Sequence, residues 1–395
     1  GNFLYSLSMV RLLGPEIYGE LGAILSLFSL FAVPLAILSL IVVKTTAAFY
    51  GRGELEKLGS FLRSQQAKVF LIGTIGAVII IGAGPLIQNF LKLDSFLPIL
   101  FLGSIFLISG LSTVNKGALQ GTLAFSSLTI NSITETGIKL ILSVILVYFG
   151  LQLGGALAGP VMAAAAGYLL ASWQLRKIRK NSGSNEKTSL GTIWKEAFSP
   201  VLLTTLTLTI FFTMDVVLVR HFFAPLVAGE YAALANLGKV GYYLVGPIMM
   251  VMFPLISARA NNGRSYLLPL LGSLVLSLGA SLVIIFIFLF FGQPIINLLY
   301  GEKYLGAVPY LSLYSFYMAI YGLNAILTYF VLSISYYRPI PVLFLISLLQ
   351  GVLIFFFHQS IFRVIGVNII ISALYFLVIT IFILWKVKSK PTNFL

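Results

Sequence analysis

Long apolar segments separated by short polar ones dominate the pattern of this 395-residue chain. Residues 140–175 and 265–301 contain no Asp, Glu, Lys or Arg. A run of about 18 or more apolar residues is typical of a transmembrane helix, so the first stretch is long enough for two helices and the second for one long helix. The runs are continuously apolar rather than alternating, which disfavours a β-barrel.

Gly, Pro and charge clusters break the apolar pattern into about twelve predicted spans. They are 1–13, 20–43, 67–91, 96–120, 124–149, 153–174, 197–222, 228–257, 266–291, 304–334, 339–358 and 361–386. We interpret the first as the end of a truncated helix. The sequence therefore predicts an all-α polytopic membrane protein with two six-helix lobes, 1–175 and 197–395, joined by a cytoplasmic linker at 176–196.

Composition agrees with this interpretation, because 59% of the residues are hydrophobic and only 9% are charged. A soluble domain carries roughly 25% charged residues, so these few could not cover a water-facing surface. Cysteine is absent, which excludes disulfides and thiolate metal sites. The net charge of +14 comes from basic residues scattered between apolar segments. That distribution indicates membrane topology rather than a nucleic-acid partner.

The lysines and arginines also predict an orientation. Eighteen of the 25 fall in one set of alternate loops and five in the other, while Lys139 and Lys239 lie within spans. Cytoplasmic loops carry an excess of Lys and Arg. We therefore expect a multi-pass protein of the cytoplasmic membrane with both termini in the cytoplasm.

The two halves of the chain contain matching landmarks. RLLGPEIYGELGAI at 11–24 is similar to RHFFAPLVAGEYAALA at 220–235. Tyr18 precedes Pro34 by sixteen residues, as Tyr231 precedes Pro247, and Pro85 matches Pro294 at an offset of 209. The order and orientation of these landmarks predict parallel repeats related by an axis along the membrane normal.

These segments, together with VNKGALQGTLAF at 114–125 and FFTMDVVLVRHFFAPLVAGEYAALANL at 211–237, resemble the polysaccharide-transporter branch of the MOP superfamily. The resemblance covers nearly the whole chain. It implies a flippase for undecaprenyl- or dolichyl-linked oligosaccharides, built from two six-helix lobes around a central cavity.

Ionisable residues inside a membrane are functional candidates by default, because each costs roughly 2.5–3.5 kcal/mol near the helix centre. Lys239 lies eleven residues from the start of its span, roughly 16 Å deep at helical rise. Asn236 and Tyr243 share its helix face. We expect this group to line the cavity, with Lys239 receiving the diphosphate or an acidic sugar. The alternative is a lysine paired with an acid on a neighbouring helix.

Glu135 and Lys139 are one turn apart on the fifth span, and Asn131 extends the same face. They are interpreted either as cavity lining or as a self-neutralising helix pair. Asp215, near the outer end of the seventh span, is a candidate for binding a coupling H⁺ or Na⁺. It could instead pair with Lys239 or with Arg220.

Pro34 and Pro247 fall within spans at matching repeat positions, so they are predicted to kink or hinge their helices. The sequence shows no cluster of metal ligands and no arrangement typical of a catalytic site. No cofactor is expected beyond a coupling ion.

The sequence thus favours a non-enzymatic flippase for a lipid-linked oligosaccharide. Its expected partners are that substrate, membrane lipids and other polysaccharide-assembly proteins. The alternatives are a multidrug or cation antiporter of the same superfamily, a lipid II flippase, and a membrane-embedded polysaccharide polymerase or ligase. Lys139 and Lys239 disfavour an antiporter, whose site should be rich in acids and aromatics.

The distribution of basic residues generates a topology prediction. Reporter fusions at Asn185 and at Thr392 should both report a cytoplasmic location, since the basic loops stay inside. Labelling of either site by an impermeant reagent from outside the cell would contradict it.

Overall fold

The structure is a computed structural model that describes residues 2–176, 178, 191–261 and 265–389. The elements assigned in these ranges are all helical. The chain divides into two compact units, Gly1–Leu202 (unit 1) and Leu203–Leu395 (unit 2).

The helices of the first part of the chain cover the predicted spans and extend beyond some of them. They are α1 (Asn2–Phe31), α2 (Val33–Gly51), α3 (Leu55–Gly82), α4 (Gly84–Leu91), α5 (Leu97–Gly121), α6 (Phe125–Leu146) and α7 (Gln152–Gln174). A π-helical turn, Val147–Leu151, joins α6 to α7. Within α1, Gly14 has φ 73° and ψ 170°. This left-handed backbone favours glycine and separates the predicted remnant from the second span.

The second part begins with α8 (Gly191–Phe222), whose residues from 203 onward belong to unit 2. The following helices are α9 (Pro225–Gly238), α10 (Val240–Tyr243), α11 (Val245–Asn261), α12 (Leu267–Leu299), α13 (Val308–Ser333), α14 (Ile340–Phe356) and α15 (Ile361–Ser389). A 3₁₀ helix, Glu302–Ala307, precedes α13. Three short helices, α9 to α11, thus make up one predicted span.

Nine helical segments of the described chain are long and apolar enough to cross a membrane. One of them, Phe125–Gln174, contains two predicted spans, and α14 is apolar but shorter, with 17 residues. Helices suit this environment because each satisfies its own backbone hydrogen bonds. The all-helical, polytopic fold class predicted from the sequence is confirmed.

Two helices begin earlier than predicted. Helix α3 begins at Leu55 rather than 67, because its polar first turns still bury Leu58, Phe61 and Leu62 in the core of unit 1. Helix α8 begins at Gly191, inside the predicted linker 176–196. Most of that linker, residues 177 and 179–190, lies outside the described residues. Both predicted starting residues were wrong, because each helix begins with polar turns that precede its apolar run.

Both predicted kink positions lie beside breaks in their helices. Pro34 follows the break at Ala32 between α1 and α2, and Pro247 follows the break at Leu244 between α10 and α11. Proline lacks the N–H that would bond to the carbonyl four residues earlier, and its ring crowds that carbonyl. The breaks therefore have a local cause in the sequence, while the predicted hinge function stays a prediction.

A hydrogen-bond pattern recurs in the two units at the sequence offset of the repeat. In unit 1, Asn115 on α5 donates to Ser172 Oγ on α7 at 2.8 Å. In unit 2, Asn324 on α13 donates to the carbonyl and Oγ of Ser372 on α15, at 2.8 and 3.0 Å. The two asparagines are 209 residues apart, which is the offset of Pro85 and Pro294. Each unit thus ties the fourth helix of its repeat to the sixth with the same polar contact.

We expect Asn324→Ala to destabilise the protein by about 1–2 kcal/mol, because it removes two buried hydrogen bonds between helices. Thermal unfolding in detergent measures the change. Asn297→Ala, at an exposed position on α12, is the matched control. Equal melting temperatures for the two variants would contradict the role given to this contact.

Candidate functional site

Lys239 lies at the junction of α9 and α10, and its side chain is only 7% exposed. Its Nζ stands 4.1 Å from the centre of the Phe212 ring, on α8. The structure shows no hydrogen bond or ion pair to this ammonium from any residue it describes. An ammonium carries three donors, so a buried one without acceptors is well placed to receive an anion or oxygen-rich ligand.

Asp215, one turn from Phe212 on α8, is fully buried and surrounded by donors. Its Oδ2 accepts hydrogen bonds from Tyr231 at 2.8 Å, Tyr314 at 2.9 Å and Asn368 at 3.5 Å. Its Oδ1 accepts one from the backbone N–H of Val216 at 2.9 Å. The carboxylate is therefore held by α8 itself and by α9, α13 and α15.

The two charges attract each other without pairing directly. Lys239 and Asp215 interact electrostatically, but no ion pair within 4 Å joins them in the described residues. Hydrogen bonds from neutral groups satisfy the carboxylate, and none of them comes from the lysine. The sequence-based alternative of a tight Lys239–Asp215 pair does not match this geometry.

The residues predicted to share the face of Lys239 have different surroundings. Asn236 donates to Tyr300 Oη at 3.1 Å, whereas Tyr243 is 49% exposed. The ring of Phe212 contacts the ammonium. Phe212 belongs to a cluster with Tyr242, Tyr243 and Tyr321, in which the centroids of neighbouring rings lie between 4.8 and 6.3 Å apart. The ammonium thus lies against one member of an aromatic cluster within unit 2.

Unit 1 contains a second charged group, on α5 and α6. Glu135 forms an ion pair with Lys116 and accepts a hydrogen bond from Ser112 Oγ at 3.3 Å. Gly167 on α7 makes room for it, since a Cβ there would overlap the carboxylate. The self-neutralising pair of Glu135 with Lys139 is therefore not the ion pair that the structure shows.

Lys139 and Asn131 have separate partners. The Lys139 ammonium bonds to Asn2 Oδ1 and lies 4.9 Å from the centre of the Tyr5 ring. Asn131 is fully buried and donates to the carbonyl of Gly167 at 2.8 Å, so its amide joins α6 to α7. Among the three residues predicted to share one face of this helix, Glu135 and Lys139 are partly exposed and Asn131 is buried.

Sequence reasoning did not name Lys116 as a site residue, although Lys116 lies within the predicted span 96–120. It lies five residues before the end of α5, and side chains in a helix lean toward its N-terminus. This lean could have indicated that Lys116 reaches back to Glu135. No sequence signal identified Tyr314 and Asn368 as partners of Asp215, because both come from distant helices.

No group of three or more His, Cys, Asp or Glu that could hold a metal occurs in the described part of the chain. The described residues offer buried charge and hydrogen-bonding groups, which are the chemical means by which a protein binds and orients a ligand.

The comparisons with known proteins fit this geometry. Residues 8–309 match the model of a family described as "Polysaccharide biosynthesis protein". The chain belongs to this family. Its description agrees with the polysaccharide branch that the sequence resemblance indicated. A search of curated protein sequences gives no match.

Three solved structures show the same fold. A multidrug resistance MATE family transporter of the MOP superfamily, in an inward-facing conformation, has a TM-score of 0.81 at 13% identity, covering 99% of this chain and 96% of that one. The lipid II flippase MurJ has a TM-score of 0.71 at 15% identity, with 98% and 84% covered. The MATE multidrug transporter DinF-BH has a TM-score of 0.63 at 14% identity, with 100% and 94% covered.

We expect Asp215→Asn to destabilise this family member by about 1–3 kcal/mol, because an amide nitrogen would face hydroxyl donors in a fully buried site. Thermal unfolding measures the change. Asp94→Asn removes the same charge at an exposed position and should leave the melting temperature unaltered. An unchanged melting temperature for Asp215→Asn would show that the donors are not needed for stability.

Proposed function

We propose that this protein translocates a polyprenyl-diphosphate-linked oligosaccharide across the cytoplasmic membrane by alternating access, for cell-surface polysaccharide or glycan assembly. The family description supports the link to polysaccharides. The fold, shared with a lipid II flippase, supports movement of a lipid-linked sugar. Other polysaccharide-assembly proteins are the partners that such a role calls for.

The observation that carries this proposal is the buried, unpaired ammonium of Lys239. A permanent acidic partner would neutralise the lysine in every state of the protein. An ammonium that lacks one gains most when an anionic substrate arrives, because charge–charge attraction is strong away from water. A diphosphate suits this role, since it offers several acceptor oxygens and more than one negative charge.

Asp215 fits a role in coupling within the same proposal. Its carboxylate is buried, held by neutral donors and influenced by the charge of Lys239. We favour H⁺ over Na⁺ as the coupling ion, because a metal cation needs several oxygen ligands and the described residues contain no group of three or more His, Cys, Asp or Glu that could hold one. Pro34 and Pro247, beside breaks in their helices, remain the hinge candidates.

One observation favours the multidrug or cation antiporter as the second candidate. The clustered rings of Phe212, Tyr242 and Tyr321 could stack on an organic cation, as expected for a drug site. Phe212 is the ring that contacts Lys239. Two of the solved structures with this fold are described as multidrug transporters. The lysine opposes that function, because it would repel a cation held by those rings.

We expect Lys239→Ala to reduce transport of a labelled polyprenyl-diphosphate oligosaccharide in proteoliposomes by at least about tenfold. The reason is that the substitution removes one strong charge contact with the substrate. Lys239→Arg should keep part of the activity, since the charge remains but the guanidinium is bulkier and forked. The transport rate is measured as the rate at which the labelled lipid becomes protected from a reagent that cannot cross the membrane.

Lys303→Ala is the matched control, because it removes an exposed lysine from the same unit and should transport at the normal rate. Normal transport by Lys239→Ala would exclude the proposed contact. If both single neutral variants of Lys239 and Asp215 fail and the double variant recovers, the two charges serve each other rather than the substrate. Transport of a fluorescent organic cation instead of the lipid would favour the antiporter.

A further inference from the structure

Three charges of alternating sign lie in a row on one side of unit 1. Lys116 on α5 pairs with Glu135 on α6, and Lys139 follows Glu135 by one turn of the same helix. Glu135 attracts Lys139 as well, without forming an ion pair with it. Glu135 thus pairs with Lys116 and attracts Lys139. The Lys139 ammonium also bonds to Asn2 Oδ1 and lies 4.9 Å from the centre of the Tyr5 ring. The three charges sum to +1.

The row remains partly accessible, unlike the buried charges of unit 2. The side chains of Lys116 and Glu135 are 32% and 19% exposed. Among the described residues, the second oxygen of Glu135 has the long contact to Ser112 Oγ at 3.3 Å. An ion pair that the protein does not fully enclose leaves room for a competing ligand to replace one of its partners. Stronger anions can therefore compete with Glu135 for the two lysines.

We propose that Lys116 and Lys139 form an anion site for phosphate groups, and that Glu135 occupies this site as an internal counter-ion until those groups displace it. The inference rests on the proposed function for the identity of the ligand, a lipid-linked diphosphate. It assigns roles to Lys116 and Glu135 that are separate from the contact proposed for Lys239 in unit 2.

The geometry gives Glu135 an effect on selectivity. A singly charged anion gains little by replacing a carboxylate that is already in place. A diphosphate carries more charge and can contact both lysines, so it competes successfully. Gly167 supports this device by letting Glu135 lie against the backbone of α7. When the ligand leaves, the carboxylate of Glu135 returns, and its negative charge again compensates the positive charge of the lysines.

The test measures ligand binding to the full chain in nanodiscs. The probes are a sugar-free polyprenyl diphosphate, the uncharged polyprenol of the same length, and inorganic pyrophosphate. Glu135→Gln should bind polyprenyl diphosphate about tenfold more tightly than the natural chain, since it removes the competitor and keeps both lysines. Lys116→Gln should bind it more weakly. Polyprenol binding should be equal in all forms.

Glu54→Gln is the matched control, because Glu54 forms an exposed ion pair with Lys57 at 3.6 Å in the same unit. It should bind like the natural chain. Tighter binding of pyrophosphate to Glu135→Gln would show that the phosphate groups alone suffice. A gain for polyprenyl diphosphate but not for pyrophosphate would show that the polyprenyl tail must anchor the phosphate groups. Both results support the site.

A Glu135→Gln variant that folds and shows no gain, or gains equally for polyprenol, overturns the inference. If Glu135→Gln does not fold, Glu135→Asp takes its place, because the shorter acid reaches Lys116 less well and should give a smaller gain. If the natural chain transports the oligosaccharide but these variants do not bind the diphosphate more tightly, only this inference is refuted. Failure of the natural chain both to bind the diphosphate and to transport would refute the proposed function.

Discussion

The absence of water in the hydrocarbon layer is the constraint on which this structure depends. Helices satisfy the backbone there, and buried polar side chains are stabilised by partners in the protein. Asn324 bonds to Ser372, Asn131 to a carbonyl of α7, and Asp215 to donors from four helices. Some buried neutral polar atoms, such as Asn131 Oδ1 and Asn324 Oδ1, have no hydrogen-bond partner in the described residues. The ammonium of Lys239 also lacks one, and because it carries a charge inside the membrane it is the stronger candidate for ligand binding.

The two repeats share a scaffold and differ in chemistry. The contact of asparagine with serine recurs at matching positions, 115 with 172 and 324 with 372. The charges do not recur. Unit 1 places its acid and base on the fourth and fifth spans of its repeat, whereas Asp215 and Lys239 lie on the first and second spans of the other. The packing contact is thus common to both units, while the charged groups differ.

The apolar pattern predicted the fold class and most helix positions, because a membrane span needs a minimum apolar length. It did not predict where α3 and α8 begin, because their polar first turns are helical outside any apolar run. Depth along the helix singled out Lys239 as a charge inside the membrane, whereas Asp215 was expected near the outer end of its span. Both are buried. The sequence could not identify Tyr314 and Asn368 as partners of Asp215, or Lys116 as the partner of Glu135, because these contacts join separate helices.

The free energies involved indicate that the neighbours of Lys239 do not fully compensate its charge. A charged side chain at the helix centre costs about 2.5–3.5 kcal/mol on insertion scales. A cation–π contact such as that with Phe212 returns about 0.5–2 kcal/mol. Part of the cost therefore remains, and the attraction of Asp215 acts from beyond 4 Å with a carboxylate already occupied by donors. Since neither neighbour fully compensates the ammonium, an anionic ligand that reaches it gains the binding energy that a permanent salt bridge would have used inside the fold.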